Sequence, residues 1–327
     1  MAVFTLQQLE IYRCMSLRIV FMGTPEFAVA SLAQLHQSHH QVVAVVTVAD
    51  KPAGRGQKLQ VSAVKNYAET HQLPLLQPEK LRDAHFLEEL KELNADLFVV
   101  VAFRMLPEVV WAMPKYGTIN LHGSLLPQYR GAAPIHWAVI NGEKLTGCTT
   151  FFISHDIDTG AVIDQISFEI GADETTGDVH DRMMMLGANL LLRTVNQIES
   201  GAISPKDQAA LAQDFQLKHA PKLNRELAKI DWRADAATVH NQIRGLSPFP
   251  VAWTMFGSDV FKVYRSQRTD LQSNRPVGQL IQDKKQLYVV CGNGELLEIL
   301  EIQPAGKKRM PAAAFLQGYD VSGARFE

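Results

Sequence analysis

The strongest constraint on how this chain folds is a series of short apolar runs, "LRIVFMG" (17–23), "QVVAVVTV" (41–48) and "ADLFVVVAF" (95–103), separated by helix-like sequence. A strand that is apolar on both faces has no side to turn to water, so such strands are expected in a parallel sheet covered by helices above and below. Apolar spacing predicts helices over "PEFAVASLAQLHQ", "SAVKNYAETH" and "AHFLEELKEL", with Pro25 suited to a first helical turn and a short strand at "PLLQ". The expected fold class is α/β with a mostly parallel sheet.

Further along, "YGTINLH", "TGCTTFFI" and "AVIDQISFEI" read as strands, 133–141 as a helix and 175–199 as a long amphipathic helix. Residues 201–224 are polar, contain two prolines and read as a linker. After one more helical stretch, "ATVHNQIRGL", the sequence changes to short β-patterned runs, "VAWTMF", "DVFKVYRS", "VGQLIQ", "QLYVVC" and "ELLEILEI", with an Asn-Gly turn at Asn293-Gly294. That pattern predicts a small β domain closed into a barrel.

At 327 residues, 46% hydrophobic and 20% charged, the chain is long enough for two cores and has the balance of a water-soluble protein. Cys14, Cys148 and Cys291 are far apart and odd in number, which excludes a disulfide framework and gives no zinc-site spacing. No apolar run approaches the ~20 residues of a spanning helix, and the N-terminus lacks a secretion signal, so a cytoplasmic protein with no membrane association is expected. Charge is uneven: residues 1–207 carry 16 Lys and Arg against 22 Asp and Glu, whereas 208–327 carry 16 against 12. A net basic tail suits a polyanionic partner, although a solvated basic face is its commoner meaning.

The segment most loaded with chemistry is "NLHGSLLPQYRGAAPIHWAVINGE", residues 120–143. On a strand, Asn120 and His122 stand at i and i+2, so their side chains leave the same face close to the strand's end, where open α/β sheets bind ligands. A lone histidine is usually a satisfied structural one. Here "SHDIDTG" (154–160) adds carboxylates between two strands, and the residues alone leave Asp156 and Asp158 both open. Amide, imidazole and carboxylate form a division of labour: one holds a developing oxyanion, one moves a proton near neutral pH, one orients the imidazole. "FMGTPEFA" has one glycine where a dinucleotide fingerprint needs three, which disfavours a nicotinamide cofactor. No metal is expected, because hard-metal sites need more oxygen ligands than "HDID" offers. His39-His40 reads as a polar turn, and "DKPAGRGQKL" (50–59) as a basic loop after the second strand.

With these motifs in view, "NLHGSLLPQYRGAAPIHWAVINGE" followed by "DIDTGAVI" resembles the 10-formyltetrahydrofolate-dependent formyltransferases, whose shared signature is N-x-H-x-S-L-L-P with a later Asp-x-Gly. "FMGTPEFA", "DKPAGRGQKL", "RGAAPI", "KIDW" and "PAGKK" are similar to the members that formylate initiator methionyl-tRNA, so the resemblance runs from about residue 17 to 310. It implies a catalytic trio of Asn120, His122 and Asp158, with Asp156 secondary, and a folate-contacting loop of Ser124, Leu125, Leu126 and Pro127. It implies a Rossmann-like catalytic domain over 15–203, a linker over 204–223 and an OB-like domain over 224–327 that helps hold tRNA. The basic loop becomes a tRNA contact led by Arg55, with Lys51 and Lys58. A monomer using 10-formyltetrahydrofolate as co-substrate is expected. Residues 1–14 precede the point where the family normally starts and read as an N-terminal extension. A formyl hydrolase or small-amine formyltransferase with the same trio is the nearest rival, and a non-catalytic tRNA-binding protein the next.

Overall fold

The computed structural model describes residues 16–53, 58–212 and 216–327, with backbone alone at 52, 53, 58 and 59. The chain divides into two compact units. The first comprises residues up to 130 together with 147–167 and 181–218, and the second comprises 131–146, 168–180 and 219–327.

In the first unit, β1 (Arg18–Gly23), α1 (Glu26–His36) and β2 (Gln41–Val46) follow the expected alternation. Pro25 stands one residue earlier than expected: it is the cap of α1, with ψ 175°, and not a member of its first turn. A hairpin, β3 (Lys51–Ala53) with β4 (Lys58–Gln60), precedes α2 (Ala63–Thr70), β5 (Leu75–Leu76), α3 (Ala84–Glu92) and β6 (Leu97–Val101). Ser62 and Asp83 cap α2 and α3 by accepting bonds from the amides of Lys65 and Phe86. Along the chain next come α4 (Glu108–Trp111), β7 (Thr118–His122), β8 (Arg130–Gly131), α5 (Pro134–Ile140), β9 (Leu145–Phe152), β10 (Val162–Glu169), α6 (Thr176–Glu199), α7 (Gln208–Leu211) and β11 (His219–Ala220), which pairs with β8; of these, α5 and β11 belong to the second unit.

The main sheet has the order β10-β9-β7-β6-β1-β2-β5. It is parallel from β5 to β7, while β9 runs antiparallel to β7. Order reverses at β1, so the carboxyl ends of β1, β6 and β7 form the crevice where such sheets take ligands. Both faces are apolar. Val20, Met22, Phe98 and Val100 pack with Phe86 and Leu90 of α3 on one face. Ile19, Phe21, Val45, Leu97 and Val99 alternate with them and are equally buried.

The second unit contains α8 (Ala236–Gly245), β12 (Ala252–Phe256), β13 (Asp259–Gln272), β14 (Leu280–Asp283), β15 (Gln286–Val290), β16 (Glu295–Gln303), β17 (Met310–Pro311) and α9 (Ala312–Phe315). Its antiparallel sheet runs β12-β13-β16-β15-β14, with β17 beside β16. The last residues tie its two edges together: Glu327 exchanges backbone bonds with Met255 at the end of β12, while the Phe326 amide donates to Gly278 and Leu280 donates to Ala324 beside β14. The C-terminal residues thus bridge the two edge strands of an antiparallel sheet, the strand type the β runs imply. At the expected turn the Gly294 amide donates to Cys291, and Gly294 takes φ +79°, which glycine adopts without strain.

Phe326 is 1% exposed and stacks on Trp232 at 5.7 Å between ring centroids. Phe326→Ala is expected to lower the stability of the second unit by about 3–5 kcal/mol, read from the urea midpoint. Burial also holds His40, His136 and His240 below the ordinary histidine value. A base whose folded pKa is depressed takes up protons preferentially when unfolded, so stability should be full above the unfolded value of ~6.5 and fall as pH drops below it. Urea midpoints between pH 7.5 and 5.5 check this.

Candidate active site

The strand register builds the site. Met22 pairs with Val100, Val100 with Asn120, and Asn120 with Phe151, so Asn120 shares the sheet face that α3 covers further along. His122, two residues on, shares it too and pairs with Thr149. At this end of the sheet the face is covered by the loop between β9 and β10. That loop leaves β9 beside Ile119, at the opposite end of β7 from His122, and folds back until Asp158 Oδ2 lies 3.7 Å from His122 Nδ1.

Two glycine-type positions make that return possible. Asp158 sits in the left-handed region at φ +56°, a conformation Asp tolerates better than most residues. A Cβ on Gly160 would lie 1.7 Å from the carbonyl oxygen of Phe152, so only glycine lets the loop pass so close to β9. Thr159 braces the turn by donating to the Asp156 carbonyl at 3.0 Å and meeting Ser154 Oγ at 3.1 Å. The carboxylate that faces His122 is thus that of Asp158, while Asp156 is exposed.

His122 is 6% exposed, and its Nε2 lies 2.9 Å from the Tyr129 carbonyl. A carbonyl only accepts, so Nε2 carries the proton, and in the neutral ring Nδ1 holds the lone pair. The nitrogen that can receive a proton is therefore the one turned towards Asp158. The 3.7 Å gap is too long for a direct bond and leaves the carboxylate beside that nitrogen. Phe151 closes one side with its ring edge-to-face at 6.4 Å.

The loop after His122 is held from within. Thr149 Oγ1 donates to the Ser124 carbonyl and accepts from the Leu126 amide and from Gln165 Nε2, while Gln165 also donates to the Leu126 carbonyl. Ser124 Oγ donates to the Gln128 carbonyl. Ser124, Leu126 and Pro127 are buried, so among the four residues expected to contact a folate only Leu125 presents side-chain surface. Gly147 leaves room for it, since a Cβ there would lie 2.6 Å from Leu125 Cδ2. Met105 after β6 and Ile157 beside Asp158 are 72% and 62% exposed. Apolar side chains on these bordering loops suit a flat heteroaromatic ligand.

Of the basic-loop residues, Lys51 is exposed at the start of the β3–β4 hairpin. Arg55 and the side chain of Lys58 lie outside the described residues, as does the 1–14 extension. The hairpin's base is tethered by Lys65, whose Nζ lies 2.5 Å from Asp50 Oδ2. This bond holds the Asp50 carboxyl below the usual range. His39 and His40 form more than a polar turn: with Glu199 they are the metal-capable cluster among the described residues. His40, though, accepts from the Leu17 amide at Nδ1 and donates to Asn196 from Nε2, which uses both ring nitrogens. Tyr129, Thr149, Gln165 and the buried Gln208 were invisible to sequence reasoning, because each acts through a contact distant in the chain.

The α/β sheet thus sets an amide, an imidazole and a carboxylate on one face near the end of β7. Residues 17–195 match the formyl transferase family and 222–320 match the formyl transferase C-terminal domain. The chain is 49% identical to methionyl-tRNA formyltransferase of Bacteroides thetaiotaomicron over 94% of its own length and 97% of that protein. It is likewise 49% identical to that of Flavobacterium johnsoniae, with the same coverage. Solved structures of similar fold include an N-formyltransferase from Helicobacter canadensis in complex with folinic acid and dTDP-3-aminofucose, with TM-score 0.66, 22% identity, and 88% of this chain and 99% of that one covered. HypX from Aquifex aeolicus in complex with tetrahydrofolic acid gives TM-score 0.63 and 17% identity over 92% and 47%. At those identities the likeness is one of fold. The chain belongs to the formyl transferase family.

Gly160→Ala is expected to displace the Asp158 loop from β9 and lower turnover by about 100-fold, a loss typical of misplaced catalytic groups. Its partner check is the thermal midpoint, which should fall by only a few degrees if the shift stays local.

Proposed function

We infer that the chain transfers the formyl group of 10-formyltetrahydrofolate to the α-amino group of methionine on initiator methionyl-tRNA, giving N-formylmethionyl-tRNA for translation initiation. The observation that carries this reading is the 49% identity to methionyl-tRNA formyltransferases across nearly the whole chain, which also holds an Asn120, His122 and Asp158 set. A formyl-folate donor supplies an electrophilic carbonyl carbon bonded to a nitrogen leaving group. The residues that border the site fit such a donor: an apolar Leu125, Met105 and Ile157, and an amide on Asn120 for the carbonyl oxygen.

His122 acts as the base. Its Nδ1 lone pair takes a proton from the attacking amine, directly or through one water, and Asp158 stabilises the imidazolium that results. Nε2 stays bonded to Tyr129 throughout, so the ring does not turn as it gains and loses its proton. Asn120 holds the formyl oxygen as charge builds on it, a contribution of about 10²- to 10³-fold for comparable donors. The proton held on Nδ1 is then available to the departing nitrogen. The domain assignment in this reading is catalysis over 15–203, a linker over 204–223 and tRNA holding over 224–327. Lys51, Arg55 and Lys58 approach the tRNA acceptor end. Ser124 to Pro127 border the folate, through Leu125 and through backbone.

The test is formyl transfer by the purified chain to initiator methionyl-tRNA, with elongator methionyl-tRNA and glycinamide ribonucleotide as competing acceptors. Preference for the initiator is expected; preference for the small amine, or release of formate alone, would overturn the reading. His122→Ala and Asp158→Asn are expected to lower kcat by about 10²- to 10⁴-fold while folate affinity changes less than threefold. Near-normal turnover of either purified variant removes that residue from the mechanism.

A further inference from the structure

Gln208 is 1% exposed, although it lies in the stretch that reads from sequence as a polar linker. Every hydrogen-bonding position of its amide is used. Nε2 donates to the Asp158 carbonyl at 2.9 Å and to the Gly160 carbonyl at 2.8 Å. Oε1 accepts from Arg130 Nε at 2.9 Å and Nη2 at 2.7 Å. The two carbonyls flank Thr159, so the amide grips the turn immediately after its left-handed residue, Asp158. The same stretch of chain also holds the histidine's partner. The Tyr129 amide donates to the Lys218 carbonyl at 2.7 Å, and Gln128 accepts from the Lys218 amide and donates to the Gln216 carbonyl. Lys206 exchanges two backbone bonds with Val162 and anchors the start of the stretch.

We propose that Gln208 is a positioning residue: within the acyl-transfer reading above, its amide fixes the Asp158 turn against His122, while Gln216 and Lys218 hold the Gln128–Tyr129 segment that carries the histidine's partner. A buried primary amide is costly unless fully bonded, and full bonding fixes it in one orientation. Two donated bonds fix the peptide planes that follow Asp158 and Gly160, and Arg130 prevents the amide from flipping, because a flipped amide would set N–H groups against a guanidinium. The 3.7 Å approach of the carboxylate to Nδ1 is therefore set from outside the trio.

Gln208→Glu tests this. Glutamate has the same shape and still pairs with Arg130, but it sets an acceptor against two carbonyls. The expected result is a fall in kcat of at least tenfold, with KM for methionyl-tRNA and for 10-formyltetrahydrofolate within twofold of wild type. Amide hydrogen exchange over residues 156–161 should speed up at least tenfold. Because the effect passes through Asp158, adding Gln208→Glu to Asp158→Asn should cost less than a further twofold, whereas a general structural defect would add in full. If Gln208→Glu does not fold, Gln208→Met keeps the volume without the donors and should show the same signature. A kcat within twofold of wild type, full additivity with Asp158→Asn, or unchanged exchange over 156–161 would overturn the proposal. Failure of the wild-type chain to formylate methionyl-tRNA would instead overturn the assigned reaction, and the exchange measurement still decides the role of Gln208.

Discussion

The geometry of this site depends on one hydrogen bond, from His122 Nε2 to the Tyr129 carbonyl. An imidazole has two nitrogens and one proton to place, and this bond places the proton on the far side of the ring. What remains is Nδ1, and the fold brings the Asp158 carboxylate to that side of the ring. Tyr129 can offer its carbonyl because it adopts a left-handed backbone, φ +59°, seven residues beyond the histidine, and because its amide is tied to Lys218. Were the ring held at Nδ1 instead, Asp158 would face a nitrogen already carrying its proton, and no base would be left at that position.

The sheet explains why the centre is where it is. Parallel strands need helices over both faces, and α3 covers the Met22 and Val100 face. At β7 the same face continues into Asn120 and His122, which no apolar helix could cover without burying polar groups unpaired. The antiparallel β9 resolves this by sending a loop back over them. The cost is a left-handed Asp158 and an approach to β9 so close that only glycine fits at 160.

Most of the architecture was legible because it rests on period. Runs such as "QVVAVVTV" and "ADLFVVVAF" state a doubly covered strand, and the β runs after residue 250 state an antiparallel sheet; each lies within one element and so within reach of pattern. The pairing of Asn120 with His122 was legible for the same reason, being an i, i+2 relation on one strand. What could not be read is what depends on register between distant strands: that the loop leaves β9 at the far end of β7, that Thr149 supports three backbone and side-chain partners, and that Ser124 and Leu126 turn inward. The choice between Asp156 and Asp158 came from resemblance, since both carboxylates stand in the same turn and only the backbone twist distinguishes them.

Gln208 shows why a polar linker is a poor label for what such a segment does. Composition reports that residues 201–224 have little to bury, and a chain with little to bury is expected to be solvated. A fully bonded amide contributes nothing to hydrophobicity and is invisible to that reasoning, yet it can fix a turn as firmly as a packed leucine, because displacing it leaves two carbonyls and a guanidinium without partners at once. The segment continues directly into the C-terminal sequence with its excess of basic residues. The carbonyls of Asp158 and Gly160 are thus held by a residue fifty positions along the chain from Asp158, a distance that no local pattern spans.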